Sequence, residues 1–205
     1  MKRPDAQASA GRRRRAALAG HQQKPEEARR LLADPVPAVR ATALAALARA
    51  GQLAREDLAG ALGDPSPVVR SRACEMVAAR GPEEGLDLRP LLADEDAGVV
   101  EMAAWAAGEL GAAASGYVTE LAGLATTHAD PLCREAAVAA LGAVGDRRGL
   151  AAILTATSDR PAVRRRAVIA LAPFDGPDVD EALRRAKDDR DWQVRQAAED
   201  LTDEA

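Results

Sequence analysis

Residues 34–51 read DPVPAVRATALAALARAG, and residues 64–81 read DPSPVVRSRACEMVAARG. The two stretches align without a gap. Both have Asp first, Pro second and fourth, Val-Arg sixth and seventh, and Gly last. A third copy, DEDAGVVEMAAWAAGELG, occupies 94–111. Looser copies follow as HADPLCREAAVAALGAVG (128–145), SDRPAVRRRAVIALAPFD (158–175) and DRDWQVRQAAEDLTDEA (189–205). Their anchors are Arg40, Arg70, Val100, Arg134, Arg164 and Arg195, at spacings of 30, 30, 34, 30 and 31. A fixed period of this size marks an array of stacked supersecondary units.

Each unit holds two helical segments. The second, B, begins near the anchor after a turn bearing Pro or Asp. Apolar residues recur three, four and seven positions past the anchor: Ala43, Leu44, Leu47; Ala73, Cys74, Val77; Ala137, Val138, Leu141; Ala167, Val168, Leu171. That is the stripe of an amphipathic helix. Gly51, Gly81, Gly111 and Gly145 lie eleven residues past their anchors, where a glycine ends a helix. The first segment, A, carries Leu31 and Leu32, Leu58 and Leu62, Leu91 and Leu92, Leu121 and Leu124, Ile153 and Leu154, and Leu183. One such pair cannot bury its apolar face alone, so neighbours stack. Pro35, Pro37, Pro65, Pro67, Pro131 and Pro161 stiffen the turns.

Composition agrees. Of 205 residues, 50 are Ala and 22 Leu, whereas Ile numbers 2 and aromatics are 2%. So few β-branched and aromatic residues argue against a sheet and for closely packed helices. No apolar run approaches the ~18 residues of a membrane span. The run Ala16–Gly20 is too short for a secretory leader, which leads to the expectation of a cytoplasmic chain. Cys74 and Cys133 are too few for a disulfide framework. Residues 1–30 carry nine basic and three acidic side chains, while the chain as a whole is at −4. A basic head on an acidic body disfavours a general nucleic-acid binder.

The turn pattern D-x-x-x-V-R, followed by a helix ending in Gly, resembles HEAT repeats. The ~30-residue period resembles most the short bacterial HEAT-like subtype first noted in phycobilin lyase subunits. The resemblance implies an all-α, right-handed α-solenoid of about six helix pairs. The expected organisation is a disordered basic tail (1–10), a capping helix (11–24) and a repeat domain (25–205). Repeats fall at about 25–51, 52–81, 82–111, 112–145, 146–175 and 176–205. The resemblance also implies a ladder of turn Asp and B-helix Arg between neighbouring repeats. Its members here are Asp34 with Arg40, Asp64 with Arg70, and Asp189 with Arg195. Repeat three has Asp94 but Val100. Repeats four and five put His128 and Ser158 at the Asp position, with Asp130 and Asp159 as substitutes through a shifted turn. Glu199, Asp200, Asp203 and Glu204 give the last helix the polar outer face of a terminal cap.

Solenoids of this kind line their concave face with B helices. Opposite the core stripe lie the positions two, five and nine past each anchor. They collect Arg72, Glu75, Met102, Trp105, Glu109, Arg166 and Ile169 around an Ala floor. Trp and Arg are enriched where partners bind. The competing reading rotates Trp105 into the core between repeats. Trp192 is expected to cover the end of the core, and Tyr117 receives no role. Arg12, Arg13, Arg14 and Arg15 are either an anion contact or a solvated helix face.

Catalytic patterns are sparse. His128, Asp130 and Cys133 fall short of the four ligands of a structural zinc site. HEAT-repeat iron hydroxylases carry paired His-Glu dipeptides, whereas His21 precedes Gln22 and His128 precedes Ala129. No phosphate loop or nucleophile elbow occurs. The expectation is therefore a non-catalytic scaffold or adaptor without cofactor, binding another protein or itself. The alternatives are a relative of the HEAT-like glycosylases for alkylated DNA bases, or an accessory subunit of a lyase-like enzyme.

Overall fold

A computed structural model describes residues 3–22, 24–82 and 86–203. Among these residues the regular structure is all helical, with no strand. It divides into two compact units, Met1–Asp87 and Leu88–Ala205.

The first unit holds α1 (Arg3–His21), α2 (Pro25–Arg30), α3 (Pro37–Arg49), α4 (Arg55–Leu62) and α5 (Pro67–Arg80). Helices α2 and α4 are A segments; α3 and α5 are the B helices of repeats one and two. Helix α3 packs between α1 and α5. The second unit holds α6 (Arg89–Leu92), α7 (Ala97–Glu109), α8 (Val118–Thr127), α9 (Pro131–Val144), α10 (Leu150–Ala156), α11 (Pro161–Ala170), α12 (Pro177–Lys187) and α13 (Trp192–Asp203). Here α7, α9, α11 and α13 are B helices, each packed on the next.

The B helices start where the turn chemistry directs. Pro37, Pro67, Pro131 and Pro161 each supply the first helical residue, where a missing N–H costs nothing. Helix α7 lacks that proline, and the Asp96 carboxylate instead accepts the N–H groups of Gly98 and Val99. At the other end, Gly145 adopts the left-handed conformation (φ 68°, ψ 13°) and donates its N–H to the Leu141 carbonyl. Gly51, Gly81 and Gly111 share its positive φ.

The stripes at three, four and seven past the anchors are buried in repeats one, two, four and five. Leu44, Leu47, Leu58, Leu88, Leu121, Leu141, Ile153 and Leu171 are the bulky core members. Burying each such side chain contributes about 1.5–3 kcal/mol. Between them the B helices meet through small residues. A Cβ added to Gly108 would stand 3.2 Å from the Ala140 Cα, and one on Gly142 would stand 2.7 Å from the Ala170 Cα. These contacts bring α7, α9 and α11 together almost backbone to backbone.

Two expectations are corrected. Helix α1 begins at Arg3, not at residue 11, because residues 6–19 are rich in Ala and Arg, which favour helix. Met1 and Lys2 of the expected tail lie outside the described residues. Trp192 does not cover the core; it is 65% exposed. It opens α13, and side chains in a first turn lean back past the helix N-terminus. Val194 and Ala198 fill the core there with Val168. Glu199 and Asp200 are exposed on α13, while Glu204 lies outside the described residues.

Candidate functional site

The turn carboxylates and anchor arginines form a ladder offset by one repeat. Arg40 donates to both Asp64 carboxylate oxygens at 2.9 and 2.6 Å, and to the Asp34 backbone carbonyl at 2.9 Å. Arg134 reaches both Asp159 oxygens at 2.6 and 2.8 Å, and the His128 carbonyl at 2.8 Å. Arg164 reaches both Asp189 oxygens at 2.9 and 2.7 Å, and the Asp159 carbonyl at 2.8 Å. Each arginine thus clamps its own turn by a carbonyl and the next turn by a carboxylate. Arg70 and Arg195 bond their own turns at the carbonyls of Asp64 and Asp189. The expected pairs are corrected accordingly: Arg40 takes the Asp64 carboxylate, and the Asp189 carboxylate belongs to Arg164. The side chain of Arg is long enough to span to the next turn, while its own turn presents only backbone to it.

Each turn Asp also accepts the N–H two residues on, as Asp34 does from Val36 (2.9 Å) and Asp189 from Asp191 (2.8 Å). In repeat four His128 Nδ1 accepts the Asp130 N–H instead, at 3.1 Å. The imidazole reproduces the turn but offers no carboxylate. The repeat before it has Val100, buried, in place of the arginine. Asp159 does substitute, through a turn shortened by one residue, taking the Arg160 N–H at 2.6 Å. Asp130 instead caps α9 at the Leu132 N–H.

The ladder depresses its acids. Hydrogen bonding from Arg134 and Arg164 holds Asp159 and Asp189 below the ordinary carboxylate value against the opposing effect of burial. For Asp34 and Asp64 burial is the largest single influence and acts upward. The Arg12 hydrogen bond, the Val36 N–H and the charges of Arg12 and Arg40 together overcome it at Asp34, as the Arg40 hydrogen bond, the Ser66 N–H and the charges of Arg40 and Arg70 do at Asp64.

The arginine run divides. Arg12 donates to Asp34 at 2.7 Å and closes the ladder at its N-terminal end. Arg15 lies 3.8 Å from Glu27. Arg13 and Arg14 are exposed.

The residues expected on the B-helix face fall in both units. Arg72 and Glu75 belong to α5 and pair with each other. The remaining five belong to Leu88–Ala205. Trp105 on α7 is 42% exposed, Ile169 on α11 is 43% exposed, and Glu109 is exposed. Met102 and Arg166 are half-buried, and Arg166 stands 3.6 Å from Glu135 on α9. Sequence reasoning missed Leu132, 54% exposed, which lies two residues before its anchor on the outward face of α9. The available signal was an apolar residue at the same position of repeat two, Val68, two residues before Arg70, which is also exposed. Ala136, Ala139 and Ala143 make the rest of that face, so a strip of small residues runs between Trp105 and Ile169.

The H-x-D-x-x-C cluster is committed elsewhere. Cys133 is buried and donates to the Ala97 carbonyl at 3.2 Å. Burial, then the charges of Asp130 and Glu101, push its thiol up to about 11. Arg89 sits 5.1 Å over the Tyr117 ring in the A layer. Among the described residues no helix is long and apolar enough to cross a membrane.

The repeat period, the paired helices and the ladder define an α-helical repeat protein. Residues 25–104, 56–126 and 118–201 match the HEAT repeats family, and the chain belongs to it. No curated protein matches the chain in sequence. Among solved structures it is similar to human deoxyhypusine hydroxylase in complex with glycerol. That similarity covers 94% of this chain and 78% of the other at 21% identity, with a TM-score of 0.50. The likeness is one of fold. It corrects the expectation that the chain is non-catalytic, because by its name this neighbour is an enzyme built on the same architecture.

Proposed function

We propose that the chain is a protein-binding HEAT-repeat scaffold of the short bacterial subtype, acting in the cytoplasm. Its partner inserts apolar side chains between Trp105 and Ile169. The ~30-residue period supports the subtype. The observation that carries the binding reading is the exposure of Trp105, Leu132 and Ile169 on consecutive B helices of a chain that is only 2% aromatic. Exposed apolar patches with polar rims mark interaction surfaces, and Trp is enriched among the residues that dominate binding energy. Neighbouring helix axes lie about 8–10 Å apart, which puts Trp105 and Ile169 on ridges roughly 16–20 Å apart with alanines between them. A helix with side chains, about 10–12 Å across, fits such a trough. Glu109 and the Arg166–Glu135 pair supply the rim.

The test is affinity capture from native lysate with wild type beside Trp105→Ala, eluted without denaturant. Circular dichroism of the variant is expected to match wild type, because Trp105 is half outside the core. Loss of a buried Trp anchor costs about 2 kcal/mol or more, so capture falls at least about thirtyfold. A partner indifferent to Trp105, or recovery of nucleic acid or a bound chromophore in place of protein, overturns the reading.

A further inference from the structure

Helix α1 repeats the pattern of the B helices. Arg12 stands at the anchor, and Ala16 and Ala19, four and seven residues on, are buried. Gly20 follows eight residues past Arg12, as Gly108 and Gly142 follow Val100 and Arg134. Those two glycines meet Ala140 and Ala170, each six residues past the next anchor. Gly20 meets Ala46, six residues past Arg40, where an added Cβ would stand 2.9 Å from the Ala46 backbone. The rung agrees: Arg12 takes the Asp34 carboxylate as Arg40 takes that of Asp64. Helix α1 is therefore the B helix of a seventh half-repeat, and its outward residues continue the face of α3 and α5.

That face is basic. On α1 it presents Arg14 and His21, two and nine past Arg12, with Arg13 at its edge, and on α3 it presents Arg49, nine past Arg40, all exposed. None of the three arginines has an ion-pair partner among the described residues. On α5 Arg72 is matched by Glu75, the one carboxylate at the outward positions of these helices. Met1–Asp87 holds 15 basic and 11 acidic side chains; Leu88–Ala205 holds 13 and 21.

We propose that the B-helix face of Met1–Asp87 docks an acidic protein segment, rich in Asp and Glu, held by Arg13, Arg14 and Arg49. A guanidinium takes a carboxylate through two parallel hydrogen bonds, and unpaired arginines on one face offer several such grips. Single-stranded nucleic acid is disfavoured because binding it uses aromatic platforms, and Met1–Asp87 contains no aromatic residue. The inference is separate from the Trp105 trough and does not depend on it.

The probe is a fluorescein-labelled peptide of ten alternating Asp and Glu residues, titrated with the full chain at low salt and read by anisotropy. Saturable binding is expected, weakened at least tenfold by R13E/R14E and abolished at 0.5 M salt. Arg30 and Arg55 are exposed on the A helices α2 and α4, so R30E/R55E makes the same change in net charge away from the face. That variant, and Trp105→Ala, are expected to bind as wild type. All four substituted arginines are exposed, and circular dichroism checks that the variants fold. Absent binding, equal loss in R30E/R55E, or tighter binding of a twenty-residue oligothymidylate each overturns the proposal.

Discussion

Gly142→Ala is the sharpest test of how the repeats are joined. The new Cβ would stand 2.7 Å from both the Cα and the Cβ of Ala170 and 3.1 Å from its carbonyl oxygen. Carbon pairs rest at about 3.5–4.0 Å, so α9 and α11 have to part by roughly 1 Å. Two of the three obstructing atoms are backbone, which no rotamer change can remove. Overpacking of this kind costs about 1–3 kcal/mol. The helix itself gains about 1 kcal/mol from Gly to Ala, leaving a net loss of up to about 2 kcal/mol. Gly123 in α8 is the control, because nothing lies within 4 Å of its added Cβ. There only propensity operates, and Gly123→Ala is expected to gain about 0.5–1 kcal/mol. Gly108→Ala, with its Cβ at 3.2 Å from Ala140, is expected to fall between the two. Urea titration followed by circular dichroism at 222 nm reads all three. If Gly142→Ala raises the midpoint as Gly123→Ala does, the close approach of α9 and α11 is not what joins these repeats.

Three further predictions concern the ladder. Asp34, Asp64, Asp159 and Asp189 all have lowered native pKa values, so their contribution is fully present above the unfolded carboxylate value of about 3.9 and is lost as pH falls through the native values. The urea midpoint is expected to hold down to about pH 5 and to fall progressively below about pH 4, less steeply in Arg164→Gln, which already lacks the Asp189 rung; equal slopes would refute the linkage. At neutral pH that variant is expected to lose about 3 kcal/mol, because Arg164 and Asp189 are both largely shielded from water. Val100→Arg alone buries a guanidinium without a carboxylate and is expected to destabilise, whereas V100R/H128D restores a rung; strict additivity of V100R and H128D in a double-mutant cycle would show that residues 100 and 128 do not form a donor and acceptor pair.

The repeat period made the architecture legible. Helix starts, glycine ends and the core stripe all follow from positions counted off one anchor, because every repeat solves the same packing problem. The outward positions were legible for the same reason: phase alone put Trp105 and Ile169 outside. What phase could not supply was contact between repeats. The reading paired Asp and Arg within one repeat, while the geometry joins Arg40 to Asp64. It took Arg12 for part of a charge run, since a lone helix shows no period. It placed Trp192 over the core, although a first-turn residue has no preceding turn to pack against.

The offset of the ladder explains why its two defects are neighbours. A rung has its donor in one repeat and its carboxylate in the next, so losing either leaves the other as a desolvated charge. Repeat three lacks the donor at Val100, and repeat four lacks the carboxylate at His128; together they cost one rung and strand nothing. His128 still closes the turn through Nδ1, so the loop geometry survives the loss. The junction is held in another way. Gly108 lets α7 and α9 meet at Ala140, and Cys133 ties α9 to the Ala97 carbonyl. Trp105 lies on the outward side of this same junction. Close packing without the rung sets the spacing of α7 from α9, and with it the width of the alanine trough beside Trp105. The step from sequence to function therefore passes through glycine and alanine, whose lack of bulk positions the few large side chains the chain exposes.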